Sequence, residues 1–313
     1  MDPLFYIADT LVFAGIFALL TLSLNLEYGF TGLGNFGKVA FFMAGAYTYA
    51  VMASAHMPCY LCLIGAGLAA GLIGFLITFP VLRLREDYLA IVTLSFGEIL
   101  RITIKAQEGI AGGVQGIVVP GAFAPFTDSV RLLALANIGL VLFCLLFTFL
   151  LVQLLTHSPY GRILRGIRED ETAMQAIGKN TVIYKAGALA TGSVIAGVAG
   201  GLFAQYISFI DPYMFLPLVT FFVWIMLILG GPGNNWGALL GGLTVELINR
   251  GTRIAKDYLS LPVDPNNLQF ILFGMLIILF LLYRPQGLLP EGPVKTAARK
   301  EVLRWRSSLP TGS

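Results

Sequence analysis

Six stretches of this chain carry no charged residue at all: residues 39–55, 58–82, 132–156, 186–210, 212–245 and 265–283. A hydrocarbon core about 30 Å thick takes roughly 20 helical residues to cross, so most of these runs each suffice for one crossing. The run 212–245 is too long for one helix. It breaks at Gly230-Gly231-Pro232-Gly233-Asn234-Asn235, where Pro and Gly remove the helical conformation, and counts as two spans. Residues 4–26, with Asp9 as their single charge, and the polar-spotted stretch 88–104 bring the total to about nine. The expectation is an all-α, polytopic transmembrane helical bundle of about 8–10 spans. Composition agrees: 57% of the 313 residues are hydrophobic and 12% charged, against about 25% charged in a soluble domain. That excludes a water-soluble enzyme. The 23 Phe exclude a disordered chain, and a diffuse net charge of +3 gives no basis for nucleic-acid binding.

Lys and Arg concentrate in cytoplasmic loops, which sets orientation. Arg162, Arg165, Arg168, Lys179 and Lys185 lie in residues 157–185, and Arg284 begins a basic tail. Four spans separate the two, so both can lie inside. Arg83 and Arg85 then fall inside too, while the loops 107–128 and 250–264 fall outside. Residues 1–290 read as one membrane domain and 291–313 as a cytoplasmic basic tail. No Lys or Arg precedes the first span, so no cleavable signal peptide is expected.

The loop 158–185 opens with Ser158-Pro159, a helix start. Ile163, Leu164, Ile167, Met174 and Ile177 then recur at roughly helical spacing, and Gly178 follows as a C-cap. One helix over 160–177 is expected, with its apolar face buried either on the membrane surface or the bundle's own cytoplasmic end, or against a cytoplasmic partner.

Residues 32–38, Gly-Leu-Gly-Asn-Phe-Gly-Lys, match a phosphate-binding loop only in outline. Val39 stands where Ser or Thr would hold magnesium, and the flanks are spans rather than a strand and a soluble helix. A discontinuous helix is the better account, because irregular backbone at membrane depth is tolerated where protein or a water-filled cavity surrounds it. The sequence 231–237 is a loose echo, either an internal repeat bordering a transport pathway or a coincidence in a chain with 36 Gly. Asn35, Lys38 and Asn234 are accordingly candidate pathway residues.

Glu98 and Arg101, three apart on one helix, are candidates as well. A lone charge costs about 2.5–3.5 kcal/mol at the bilayer centre, so the two should pair and face protein or water. They form either a structural pair near the outer end of the span or a contact to substrate. Glu246 can pair similarly with Arg250. His56, Cys59 and Cys62 have ligand-like spacing but lack a fourth ligand, so small buried thiols are expected rather than a metal site. The four-residue spacings Gly67/Gly71, Gly197/Gly201 and Gly237/Gly241 mark close helix approaches.

SLNLEYGFTGLGNFGKVAFFMAGAYT, DYLAIVTLSFGEILRI, YGRILRGIREDETAMQAIGKN, LGGPGNNWGALLG and YRPQGLLP together resemble the inner-membrane permeases of branched-chain amino acid ABC importers, and specifically their M-type paralogue. The resemblance implies a paralogous permease subunit, two cytoplasmic ATP-binding subunits, an external substrate-binding protein and membrane lipid as partners. It also implies a bacterial or archaeal cytoplasmic membrane. No cofactor is expected on this chain, since ATP and Mg would act through the partners, and no catalytic residue is carried over. Family coupling loops resemble EAAxxxG. Here Glu171-Thr172-Ala173 precedes Gly178 one place late, and Lys38 stands where many relatives have His. Gly161, Arg162, Ile163, Arg165, Ile167, Arg168, Glu171, Met174 and Gly178 are the expected coupling residues, with Ile163, Ile167 and Met174 as anchors and Arg165 and Arg168 on a solvated rim. Permeases for urea, short amides or other amino acids are similar, and a secondary transporter or channel is the reading from a different class.

Overall fold

The computed structural model describes residues 3–81, 86–123, 129–259 and 265–292. Arg83 and Arg85, Asp264 and the tail beyond Gly292 lie outside the described residues. A helix occupies each expected span: α1 (Pro3–Leu24), α2 (Lys38–Ser54), α3 (Cys59–Val81), α4 (Glu86–Ala106), α6 (Val130–His157), α9 (Thr181–Ile207), α10 (Pro217–Gly230), α11 (Asn235–Leu259) and α12 (Pro265–Tyr283). Short helices α5 (Glu108–Ala111), α7 (Pro159–Glu169) and α8 (Glu171–Ala176) lie in the connections, and a two-residue ribbon pairs β1 (Ile117–Val118) with β2 (Phe209–Ile210).

Among the described residues, four helices are long and apolar enough to cross a membrane by length and composition: Tyr6–Gly29, Cys59–Pro80, Val130–His157 and Thr181–Ile207. The others are shorter or carry charges. α10 has 14 residues, or about 21 Å at 1.5 Å per residue, and falls short of a full crossing. The segment before it, through a 3₁₀ turn at Pro212–Phe215, buries Phe215 against Phe42, Phe203 and Tyr47.

The outward faces are apolar, as a membrane solvent demands, and charged groups lie buried among the apolar side chains of the core. α6 exposes Leu142, Phe143, Leu146, Phe147, Leu150 and Leu154, while Glu27, Asn35 and Lys38 are wholly buried. Small residues permit the tight centre. Gly197 of α9 lies on Ala66 and Ala70 of α3, Gly200 on the backbone of α2, and Gly237 and Gly241 on Gly230 and Met226 of α10, bearing out close approach at the glycine pairs. α10 and α11 thus form an antiparallel hairpin. Its turn needs left-handed backbone at Gly231 (φ 109°) and Gly233 (φ 82°), which glycine adopts without steric cost.

The expected single loop helix is two. Asp170 leaves the helical region (φ −155°, ψ 101°), and its carboxylate accepts the Ala173 N–H at 2.9 Å as the N-cap of α8. A local cap wins over continued periodicity. The ends follow expectation: Ser158 caps α7 with Pro159 at its first turn, and Gly178 (φ 79°) follows α8.

Candidate functional site

α1 does not stop where its apolar run ends. It continues as a π-helical turn over Asn25–Gly29, a wide turn of the kind that recurs at functional sites, and this carries Glu27 into the interior. The chain then runs without regular structure through residues 32–37 before α2 begins at Lys38. Lys38 Nζ donates to Glu27 Oε1 at 2.6 Å and Asn35 Nδ2 to Glu27 Oε2 at 2.9 Å, while Asn35 Oδ1 accepts the Gly37 N–H at 2.9 Å. The Glu27 carboxylate lies over Gly192 of α9, where a Cβ would displace it. α4 and α10 brace the irregular segment. Phe36 N donates to Thr93 Oγ1 at 3.1 Å, Val39 N to Thr220 Oγ1 at 3.0 Å, and Trp224 Nε1 to the Asn35 carbonyl at 3.3 Å. Protein therefore surrounds the break, as irregular backbone at membrane depth requires.

The π turn, rather than the Gly-rich break after it, meets the second Gly-rich segment. Asn25 accepts from Gly233 N at 2.9 Å and donates to Asn235 Oδ1 at 3.0 Å; Asn235 donates in turn to Gln153 and Thr156 of α6. Their conformations differ, a bridged break in one and a hairpin turn in the other. Asn234 is occupied as a cap: its Oδ1 accepts from Trp236 N at 3.0 Å and its Nδ2 donates to the Pro290 carbonyl at 3.1 Å.

α7 lies across this end of the bundle. Leu164 and Ile167 are buried at 0% and 3% exposure, so the expected anchor Ile167 is spent on this chain's own bundle. Ile163 and Met174 are half-buried, and Met174 rests on Gly166. Gly161 allows α7 to turn against the backbone of Thr156. The expected solvated rim is instead a clamp. Arg168 donates through Nη1 to the Gly29 carbonyl and through Nη2 to Glu291 Oε2 at 2.6 Å. Arg165 Nε lies 3.1 Å from Glu291 Oε1, its guanidinium over the Phe30 ring at 5.0 Å. Arg162 is exposed, as are Gly178 and Ile177, the latter at 67%. Glu171 pairs with Lys185 at 2.6 Å. Burial alone would raise its pKa, but Lys185 and Thr181 hold it below the ordinary value. Backbone N–H donation from Ala173 likewise lowers Asp170, and burial raises Tyr160 to about 12.

Glu98 and Arg101 pair as their spacing requires, with Arg101 Nε donating to Glu98 Oε2 at 3.0 Å and a second bond from Nη2. They sit on a partly open flank of α4, Glu98 at 35% and Arg101 at 13% exposure. Glu246 pairs with Arg250 at 3.0 Å, and Arg250 also reaches Asp9, which accepts from Tyr206 at 2.7 Å. Cys59 accepts from the Tyr49 hydroxyl at 3.5 Å, and the Cys62 thiol points to the Met57 carbonyl. Sequence reasoning missed Glu27, Asn25 and Glu291. The available signal for Glu27 was an acid 11 residues before an interior lysine.

A polytopic bundle with one helix short of a full crossing, a braced break and a cationic loop helix mounted beside that break is the architecture of a membrane permease. The family profile described as "Branched-chain amino acid transport system / permease component" matches residues 6–281, and the chain belongs to that family. It is 31% identical to a probable branched-chain amino acid transport permease protein LivM of Methanocaldococcus jannaschii, over 95% of this chain and 97% of that one. It is 34% identical to the high-affinity LivM permease of Escherichia coli, over 88% and 68%. Identity falls to 26% against the LivH permease of Salmonella typhimurium, over 89% and 92%. No solved structure matches this chain.

Proposed function

We propose that this chain is the M-type permease subunit of an ATP-driven importer for branched-chain amino acids in a bacterial or archaeal cytoplasmic membrane, with the loop 157–185 and the C-terminus on the cytoplasmic side. It pairs with a paralogous permease and receives substrate from an external binding protein. Two ATPase subunits supply ATP and Mg chemistry, and the chain itself is not an enzyme. One observation carries the coupling: Arg168 joins the loop helix to the Gly29 carbonyl, the end of the π turn that holds Glu27 against Lys38. A push on α7 from closing ATPases reaches the braced break directly, and biases the bundle between two packings.

The test is ATP-driven uptake of leucine, isoleucine and valine into vesicles holding the complete importer. Arg168→Ala should retain the ATPase subunits on purification yet lower uptake about tenfold or more, because it cuts the mount and not the docking surface. Wild-type uptake that continues without the ATPases would overturn the function. Normal uptake by Arg168→Ala would overturn the coupling route.

A further inference from the structure

A polar cavity lies at the same end of the bundle as α7. The end of α6, the first turns of α7 and the turn that opens α11 enclose about 560 Å³, with Gln153, His157, Arg162, Arg165, Asn235 and Trp236 among the lining side chains. That volume is within the range of small-molecule sites. Its amides are already used within the protein, Asn235 Nδ2 donating to Gln153 Oε1 at 2.8 Å and to Thr156 Oγ1 at 3.0 Å. Its cations are not fully matched. Arg165 shares Glu291 with Arg168, one carboxylate for two guanidinium groups, and Arg162 is exposed and has no ion pair among the described residues. The three arginines and Glu291 together leave an excess of two positive charges. Among the described residues no acidic side chain lines the cavity.

The border of the cavity is apolar and open. Leu150 and Leu154, in the last turns of α6 before His157, are exposed, as are Trp236 and, one turn further along α11, Leu240. The Trp236 ring rests on Phe149 with centroids 4.6 Å apart. An exposed indole between an aliphatic face and a basic one is the composition of a membrane–water interface, and basic pockets between spans on the cytoplasmic side suit anionic lipid headgroups. The chain's own tail does not provide the missing anion, because residues 293–313 hold five Lys and Arg against one Glu. We propose that this cavity binds the headgroup phosphate of an anionic phospholipid from the cytoplasmic leaflet. Arg162 pairs with the phosphate, Arg165 adds positive potential, and the acyl chains lie along Leu150, Leu154 and Leu240 beside the Trp236 ring. A zwitterionic lipid brings its own ammonium to the same cations and is disfavoured. The leaflet rests on the cytoplasmic placement of the loop 157–185 proposed above; the site itself depends neither on the cargo nor on the coupling route.

The test places the complete importer in phosphatidylcholine vesicles containing rising fractions of phosphatidylglycerol or phosphatidylcholine brominated on the acyl chains. Bromine quenches indole fluorescence at contact, and comparing each protein with its Trp236→Phe counterpart isolates the quenching of that ring. In the wild type, half-maximal quenching should need about tenfold less brominated phosphatidylglycerol than brominated phosphatidylcholine. Arg162→Gln, at an exposed position, should cut this preference about fivefold. Lys179→Gln removes the same charge from an exposed position outside the cavity and should leave the preference intact. No preference in the wild type, an unchanged preference in Arg162→Gln, or equal losses in the two variants each overturn the proposal. Inorganic phosphate that abolishes the preference at constant ionic strength makes this a site for a free anion and overturns the lipid. Loss of the ATPase subunits from Arg162→Gln with the preference intact assigns the corner to subunit docking and overturns it too. The brominated lipid occupies both leaflets, so quenching decides the site whichever face is cytoplasmic. Labelling of a cysteine at Thr172 from outside the cell overturns the leaflet alone.

Discussion

The interior ion pair shows what a membrane chain gains and risks from a buried charge. Lys38 and Glu27 are 1% and 0% exposed at their side chains, and removing one partner from such a pair costs about 3–5 kcal/mol because the other is left uncompensated. Glu27→Gln and Lys38→Met should each lower the thermal midpoint of the purified permease, whereas the double change should recover much of the loss. A thermal series in detergent reads this directly, and simply additive losses would show that the two residues do not interact. Lys38 was legible in the sequence as a candidate pathway residue; Glu27 was not. It follows an apolar run directly, and so looks like the polar end of a span. Only the π turn, a backbone feature that no local residue pattern specifies, continues the helix and turns that carboxylate inward.

Helices were legible because lipid imposes a simple rule. Charge-free runs of sufficient length become α3, α6, α9 and α12, and the Gly-Pro-Gly break falls between α10 and α11 as read. The loop was harder, because apolar spacing from Ile163 to Ile177 passes through Asp170 without a visible interruption, and periodicity does not say which surface the apolar face meets. Its inner half meets the bundle. Ile167→Asp would place a carboxylate at a position 3% exposed, so it should cost folded permease outright, read as loss of the monodisperse peak on size exclusion. Ile177→Asp, at 67% exposure beyond α8, should leave that peak intact and weaken co-purification of the ATPase subunits several-fold. Equal effects of the two changes would remove the distinction between mount and docking surface.

At the scale of the whole molecule, the loop and the segment after α12 share one end, since Arg165 and Arg168 both reach Glu291. Single cysteines at Thr172 and Gln286, in a background lacking Cys59, Cys62 and Cys144, should therefore be labelled from the same face of intact vesicles, and one at Met57 from the other. Labelling of Thr172 and Met57 from one face would refute the arrangement. The Glu291 contact also sets an order of events in biogenesis. Residue 168 leaves the ribosome long before residue 291, and the hydrogen bonds of Leu288 and Leu289 to the carbonyls of Leu229 and Gly230 hold the strip that carries Glu291. Until residues 288–291 emerge, α7 lacks the carboxylate that both arginines hold. A chain cut short after α12 would keep its spans and lose the carboxylate that fastens α7, so this end of the bundle is locked only after its last span has been made.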